Sequence, residues 1–450
     1  MSVIGPDTAG SGTRIPIGRY VAGVSDNFPR AGRARMIESA IVGRERADFL
    51  PVNLSSDKTI DGRYLEFRIP GIVGRFLDLS SIALELKLSI TSNGREKLKA
   101  DENATIVDAP VNSIFRSAQV YVGDRLVESN GFYNYSSYIK LLSSFKKATL
   151  DTLGKLGYMN PTYESEPNIY NAANFPGSVP ANVDRINTLK NNGIHLKFPL
   201  CLDVATLDQF LLDGIPLRIK LELANNSWIL GCAKEDAGYV LHIDDAKLWI
   251  DKVIPQVNAL MSLNESLSKP GKVITYTFDH TLTRTYALPA NQNSIIIDLP
   301  WGQVIPDKLY IGIQDLENYS GRYTNNGLYF QHGRMERLQV SINSVPIRSL
   351  QSTFPDRVAQ LYFDTLSSIG LLSDTLVTHK AFTNGKSFFM VNFDQEDLKN
   401  VMPLEKSGNL RVELTFGEVV DRNRIVFLFG DSVGILAVDQ DRLVTCDVRA

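Results

Sequence analysis

The chain is short of the residues that usually carry chemistry. Its 450 residues include three cysteines, Cys201, Cys232 and Cys446, odd in number and without C-x-x-C spacing. That excludes a disulfide framework and a structural zinc site of ordinary ligand spacing. The five histidines, His195, His242, His280, His332 and His379, are nowhere closer than 37 residues, so none forms an H-x-H pair on a strand. No glycine-rich loop is followed by the Lys-Ser/Thr pair of a phosphate-binding P-loop. Long apolar runs are missing too, and the first residues lack the apolar core of a secretion signal. The expectation is a soluble protein made in a reducing compartment. A net charge of −3 gives no whole-chain attraction to nucleic acid or lipid.

Arginine is unevenly spread. Residues 1–46 hold Arg14, Arg19, Arg30, Arg33, Arg35, Arg44 and Arg46 against four acids, a local balance of +3. Rich in Gly and Pro and without a sustained period, this stretch reads as an extended arm. Its balance is too small to package DNA by charge alone, because tight non-specific binding needs many phosphate contacts. Arginine's planar fork suits carboxylates as well as phosphates, so protein contacts are the favoured role.

Past the arm, alternation with period two dominates. In IALELKLSI (82–90) the apolar and polar residues fall on opposite faces, the pattern of a half-buried antiparallel strand. LRIKLEL (217–223), RLQVSIN (337–343) and LRVELTF (410–416) repeat it. AQVYVGDRLVES (118–129) matches LQVSINSVPIRS (338–349), and each is followed by a helical pattern, around Tyr138–Phe145 and Val358–Ile369. LRIKLEL then matches LRVELTF. Shared order implies two like β domains in tandem: a first domain over 47–256, a linker over 257–271 broken by Pro270-Gly271, and a second over 272–450. The first copy carries extra residues within 146–193, an Asn-, Pro- and Gly-rich stretch that reads as a functional surface loop.

Three stretches invite a chemical reading. GDSVG (430–434) fits the G-x-S-x-G pattern of a serine hydrolase, but every histidine lies upstream of Ser432 and the flanking residues are strand-like. Val433 follows the serine where chymotrypsin-type proteases carry a glycine. The two glycines read instead as a bend in the last strand, as in VLHIDDAKLWI (240–250) of the first copy, where Asp244-Asp245 is a solvated hinge. NYSGRYTNNGLYFQ (318–331) reads as an exposed loop of ordinary composition, with a sugar-binding or contact surface as the alternative.

PVNSIFRSAQVYVGDRLVESNGFYNYSSYIKLLSS (110–144), DQFLLDGIPLRIKLEL (208–223) and LPWGQVIPDKLYIGIQDLENYSGRYTNNGLYFQHGRMERLQVSINSVPI (299–347) resemble the major capsid proteins of Polinton (Maverick) elements, adintoviruses and polinton-like viruses. The closing IVFLFGDSVGILAVDQDR resembles their last strand. The resemblance implies an all-β fold of two tandem eight-stranded jelly rolls, a hexon-like double jelly roll with short helices and long loops. It implies a homotrimeric, pseudo-hexagonal capsomer that tiles an icosahedral shell around double-stranded DNA. The implied partners are other copies, minor capsid and penton proteins, and the genome through the arm. Implied too are a place in the virion, no catalytic, cofactor-binding or metal-binding residue, and no small-molecule substrate. A carbohydrate-binding tandem jelly roll is the alternative.

Overall fold

A computed structural model describes residues 41–53, 63–92, 96–99, 102–144, 193–207, 209–269, 271–351, 358–369, 377–393 and 407–448. The arm before residue 41 and the loop read at 146–193, apart from Gly193, lie outside them.

Alternation becomes strand wherever one face can be buried. In the first half the long strands are β1 (Ile41–Phe49), β2 (Tyr64–Ile69), β3 (Phe76–Ser92), β4 (Phe115–Val122), β5 (Arg125–Asn130), β6 (Ile194–Pro199), β7 (Leu217–Leu223) and β8 (Val240–Pro255). They pair antiparallel in two sheets, ordered β1-β8-β3-β6 and β2-β7-β4-β5. The second half holds β9 (Ile274–Leu288), β10 (Ser294–Asp298), β11 (Lys308–Asp315), β12 (Met335–Ile342), β13 (Val345–Gln351), β14 (Phe388–Asn392), β15 (Leu410–Phe416) and β16 (Arg424–Val438). Their orders are β9-β16-β11-β14 and β10-β15-β12-β13. Each strand of the first half thus has a counterpart eight numbers later with the same neighbours. This is the connectivity of a jelly roll, twice. A last strand, β17 (Val444–Val448), adds to β16.

The cores follow the pattern residue by residue. Leu84, Leu86 and Leu88 of β3 are fully buried, as are Leu410, Val412 and Leu414 of β15. Burial of each such side chain stabilises by roughly 1.5–3 kcal/mol relative to exposure. The two expected helices are present in matching places: α1 (Tyr133–Ser144) follows β5, and α3 (Val358–Ile369) follows β13. Between them in the chain, the segment read as a linker carries α2 (Val257–Leu267), held down by Leu263 and Leu267.

One boundary is corrected. Strand β1 begins at Ile41, so residues 41–46 are not part of an extended arm. Arg44 and Arg46 are strand residues whose guanidiniums reach Asp78 at 3.2 Å and Asp251 at 3.5 Å. On an edge strand with few buried side chains, these outward arginines leave no apolar alternation to read.

Candidate functional site at the junction of the two jelly rolls

Helix α1 sits between the two jelly rolls. A surface helix buries one stripe, yet from Tyr133 to Ser143 every α1 residue except Lys140 is buried. One side is held by the first roll, where the Tyr133 hydroxyl donates to Asn112 Oδ1 at 2.6 Å and the Tyr138 hydroxyl to Asp108 Oδ2 at 3.2 Å. The other side meets the second roll. Tyr135 packs on Phe427 of β16 at 4.5 Å between ring centroids and on Phe330 and Tyr319 at 6.1 and 6.2 Å. Phe132 meets Phe427 edge-on at 6.2 Å. Trp228 completes the cluster, its indole N–H donating to the Tyr135 hydroxyl at 2.9 Å. Such ring pairs add about 0.5–1.5 kcal/mol each beyond the area they bury.

The stretch 318–331 is wrapped around that tryptophan, which corrects its reading as an exposed loop. Asn318, Thr324, Asn325, Leu328 and Phe330 are buried. A Cβ on Gly327 would lie 2.5 Å from the Trp228 ring, and one on Gly321 2.9 Å from the Trp228 Cβ. Tyr323 donates to the Tyr239 carbonyl at 2.9 Å, and the Cys232 amide donates to the Tyr323 carbonyl at 2.7 Å. Tyr319 and Tyr323 reach the first jelly roll, while Asn325 donates to Asn318 Oδ1 at 2.9 Å and ties the stretch to itself.

Beside the rings lies a buried ionic cluster drawn from both halves. The Lys140 ammonium is 3.3 Å from Asp203 Oδ1 and 3.2 Å from Asp431 Oδ1 of β16, and it donates to the Thr281 hydroxyl of β9. Asp203 accepts the Thr281 amide at 2.8 Å and the Thr281 hydroxyl at 2.5 Å, and lies 3.5 Å from His280 Nδ1. The Asp203 amide donates to Glu128 Oε2 of β5 at 2.8 Å. Burial works against ionising Asp203, but Lys140 and the His280 and Thr281 hydrogen bonds outweigh it and hold the carboxyl at about 2. Burial likewise works against a charged Lys140, and is overcome by Asp431 and Asp203, which push its pKa up. Glu128 goes the other way, raised by burial and then by the neighbouring Asp203 charge. At neutral pH the cluster therefore contains a lysine cation and an ionised Asp203 beside a carboxyl that resists ionisation.

A second tie runs from the C-terminal segment. Arg442 Nη2 lies 2.8 Å from Asp213 Oδ1 and donates to Asn264 Oδ1 of α2 at 3.0 Å, while its Nε donates to the Asp213 carbonyl at 3.1 Å. Asp213 in turn accepts the Gly74 amide at 2.7 Å. The Tyr276 hydroxyl of β9 accepts the Leu212 amide at 3.1 Å.

Ser432 has neighbours that its sequence did not reveal. Across the β9–β16 ladder it stands opposite His280, whose ring faces Asp203. The grouping is serine, histidine and aspartate, but the geometry is that of a strand. Register runs unbroken from Arg424 to Val438, with no turn-to-helix elbow, and the buried Ser432 hydroxyl donates to the His280 backbone carbonyl at 3.4 Å. The glycines stand at points of close packing. A Cβ on Gly430 would meet Pro306 at 2.9 Å, and one on Gly434 would meet the Phe278 ring at 2.5 Å, so close packing demands both. In the first roll the expected irregularity is present: β8 shifts register between Ile243 and Asp245.

Among the described residues, no group of three or more His, Cys, Asp or Glu is disposed to hold a metal ion, and no helix is long and apolar enough to cross a membrane.

No protein-family profile matches the chain, and no curated protein sequence does. Solved structures do. A chain of the Sputnik virophage, solved by cryo-EM, superposes with a TM-score of 0.56 at 14% identity, covering 91% of this chain and 89% of its own. The fold is an all-β double jelly roll. The mavirus major capsid protein gives a TM-score of 0.51 at 12% identity over 99% and 97% of the two chains. The faustovirus major capsid protein gives 0.51 at 10% identity over 92% and 95%. At these identities the likeness is one of fold.

Proposed function

We propose that the protein is the major capsid protein of a double-stranded DNA virus or virus-like element of the Polinton, adintovirus or polinton-like kind. In this reading three copies close into a pseudo-hexagonal capsomer that tiles an icosahedral shell, and the chain has no catalytic role. The observation that carries it is the junction: two jelly rolls of the same topology are joined into one block by rings, a buried ion cluster and the Arg442 tie. Two similar units at fixed mutual orientation, repeated about a three-fold axis, give six similar units around a ring. A hexagonal outline tiles a surface. Loop 146–193 would project from the outer end near the trimer axis. Residues 1–40 would work on the inner side, reaching neighbouring capsomers, minor capsid and penton proteins, and genome phosphates. The carbohydrate-binding alternative drew on the 318–331 loop, which is occupied by Trp228.

Sedimentation velocity at micromolar concentration tests the reading. The expected species has three times the mass of one chain, and a single-chain mass contradicts it.

A further inference from the structure

The duplication gives each half the same helix, but the two helices have different surroundings. The apolar stripe of α3 is Val358, Leu361, Tyr362, Thr365 and Leu366, and the residues at the same positions of α1, all buried, are Asn134, Ser137, Tyr138, Leu141 and Leu142. This alignment, with Tyr138 on Tyr362 and Leu142 on Leu366, sets Tyr135, Ile139 and Ser143 against Ala359, Phe363 and Ser367. The α1 trio is buried at the junction. The α3 trio is exposed, and Phe363 stands 55% open. The strand before each helix shows the same contrast. Glu128 of β5 is buried in the junction, and its counterpart Arg348 on β13 is 45% exposed, 3.9 Å from Asp364, the counterpart of Lys140. The charges are exchanged: acid and lysine in the first copy, arginine and acid in the second.

The receiving surfaces differ in a complementary way. In the second roll the outer face of the β9-β16-β11-β14 sheet presents Phe427, Asp431 and Tyr310 and is covered by α1. The equivalent β1-β8-β3-β6 sheet of the first roll turns Leu84, Leu86, Leu196 and Leu248 inward, and its outer face carries Trp249, Glu85, Lys247, Lys197 and His195. Trp249 lies there half-buried, with its indole N–H donating to Glu85 at 2.6 Å and the Lys197 ammonium 3.7 Å above its ring. No element of the described chain covers this face as α1 covers its twin.

We propose that the exposed α3–β13 face of one copy docks on the outer β1-β8-β3-β6 face of the next, repeating between chains the junction that α1 and β5 make within one. Phe363 then sits against Trp249, with Asp364 near Lys197 and Lys247 and Arg348 near Glu85. The occupant is a second copy, because the docking element and its receiving sheet duplicate an interface already present in the chain, and because the exchanged charges meet opposite partners. Such a contact is head-to-tail, so it consumes both faces of every copy only when the ring closes. The inference rests on the homotrimer reading and names the surfaces that build it.

The test compares wild type, Phe363→Arg and the double variant Ala359→Cys with Lys247→Cys, each as the full chain. Expected are a wild-type trimer, a Phe363→Arg monomer that still unfolds in one cooperative transition, at a lower temperature because the trimer's stabilisation is lost, and covalent trimers when the double-cysteine chain meets a short bis-maleimide. The unsubstituted chain supplies the background from its native cysteines. A Phe363→Arg protein that remains trimeric, with cross-linking no higher than background, overturns the assigned faces while leaving the trimer standing. A monomeric wild type overturns the trimer reading itself. Should Phe363→Arg fail to fold, the cross-linking result alone decides.

Discussion

Lys140 of the first jelly roll and Asp431 of the second lie 3.2 Å apart across the junction. Their pairing, shared with Asp203, places a cation where two carboxylates would otherwise be buried without compensation. Removing one partner of such a cluster is costlier than never having built it, because the remaining charges cannot reach water. Lys140→Met is expected to destabilise the protein by about 3–5 kcal/mol, read as a lower denaturant midpoint. A midpoint within error of wild type would mean that the cluster is hydrated and contributes little.

The same cluster predicts opposing pH responses. The Asp203 carboxyl is held at about 2, below its ordinary 3.8, so its ionised form stabilises the fold. That contribution is fully present above pH ~4 and is lost as pH falls toward ~2, a change of about 2 kcal/mol. Asp203→Asn should flatten stability across that window. Glu128 is raised, so the folded protein keeps its proton while the unfolded chain releases it, and stability declines as pH climbs from ~4 toward the raised value. Glu128→Gln should therefore gain on wild type as pH rises. Urea titrations at fixed pH values would check both signs, and parallel pH profiles for wild type and both variants would contradict the assignment.

Gly327 should tolerate nothing larger. With a Cβ 2.5 Å from the Trp228 indole, Gly327→Ala has to displace a ring at the centre of the junction. Overpacking of this kind costs about 1–3 kcal/mol. Calorimetry should show a lower transition temperature, and an unchanged one would mean that the 318–331 stretch is loosely seated.

Ser432→Ala should leave function untouched. The hydroxyl makes one long bond to a backbone carbonyl, so the stability change is expected below about 1 kcal/mol. Neither wild type nor variant should hydrolyse activated esters or peptides. A hydrolytic rate in wild type that disappears in a folded Ser432→Ala protein would restore the nucleophile reading.

Much of the fold was legible because period-two alternation is a local signal. LRIKLEL and LRVELTF became β7 and β15 at their expected bounds, and both helices followed their hairpins. Tandem duplication was legible for the same reason. The edge strand β1 was not, since arginines on an edge strand imitate the composition of an arm. The junction was legible least of all. Lys140, Asp203 and Asp431 are far apart in sequence, and no periodicity marks a polar residue that two domains bury together. The 318–331 stretch has the composition of an exposed loop, and nothing local marks that its Gly321 and Gly327 make room for Trp228. Ser432 shows the converse, a motif match whose glycines answer to Phe278 and Pro306.

The central claim is that two fixed jelly rolls per chain build a ring of six from three copies. Electron microscopy of the purified protein measures this most directly. The account predicts end-on class averages with a hexagonal outline and strict three-fold symmetry, six similar densities alternating between first and second rolls. Averages showing isolated pairs of jelly rolls, or a two-fold dimer, would contradict it.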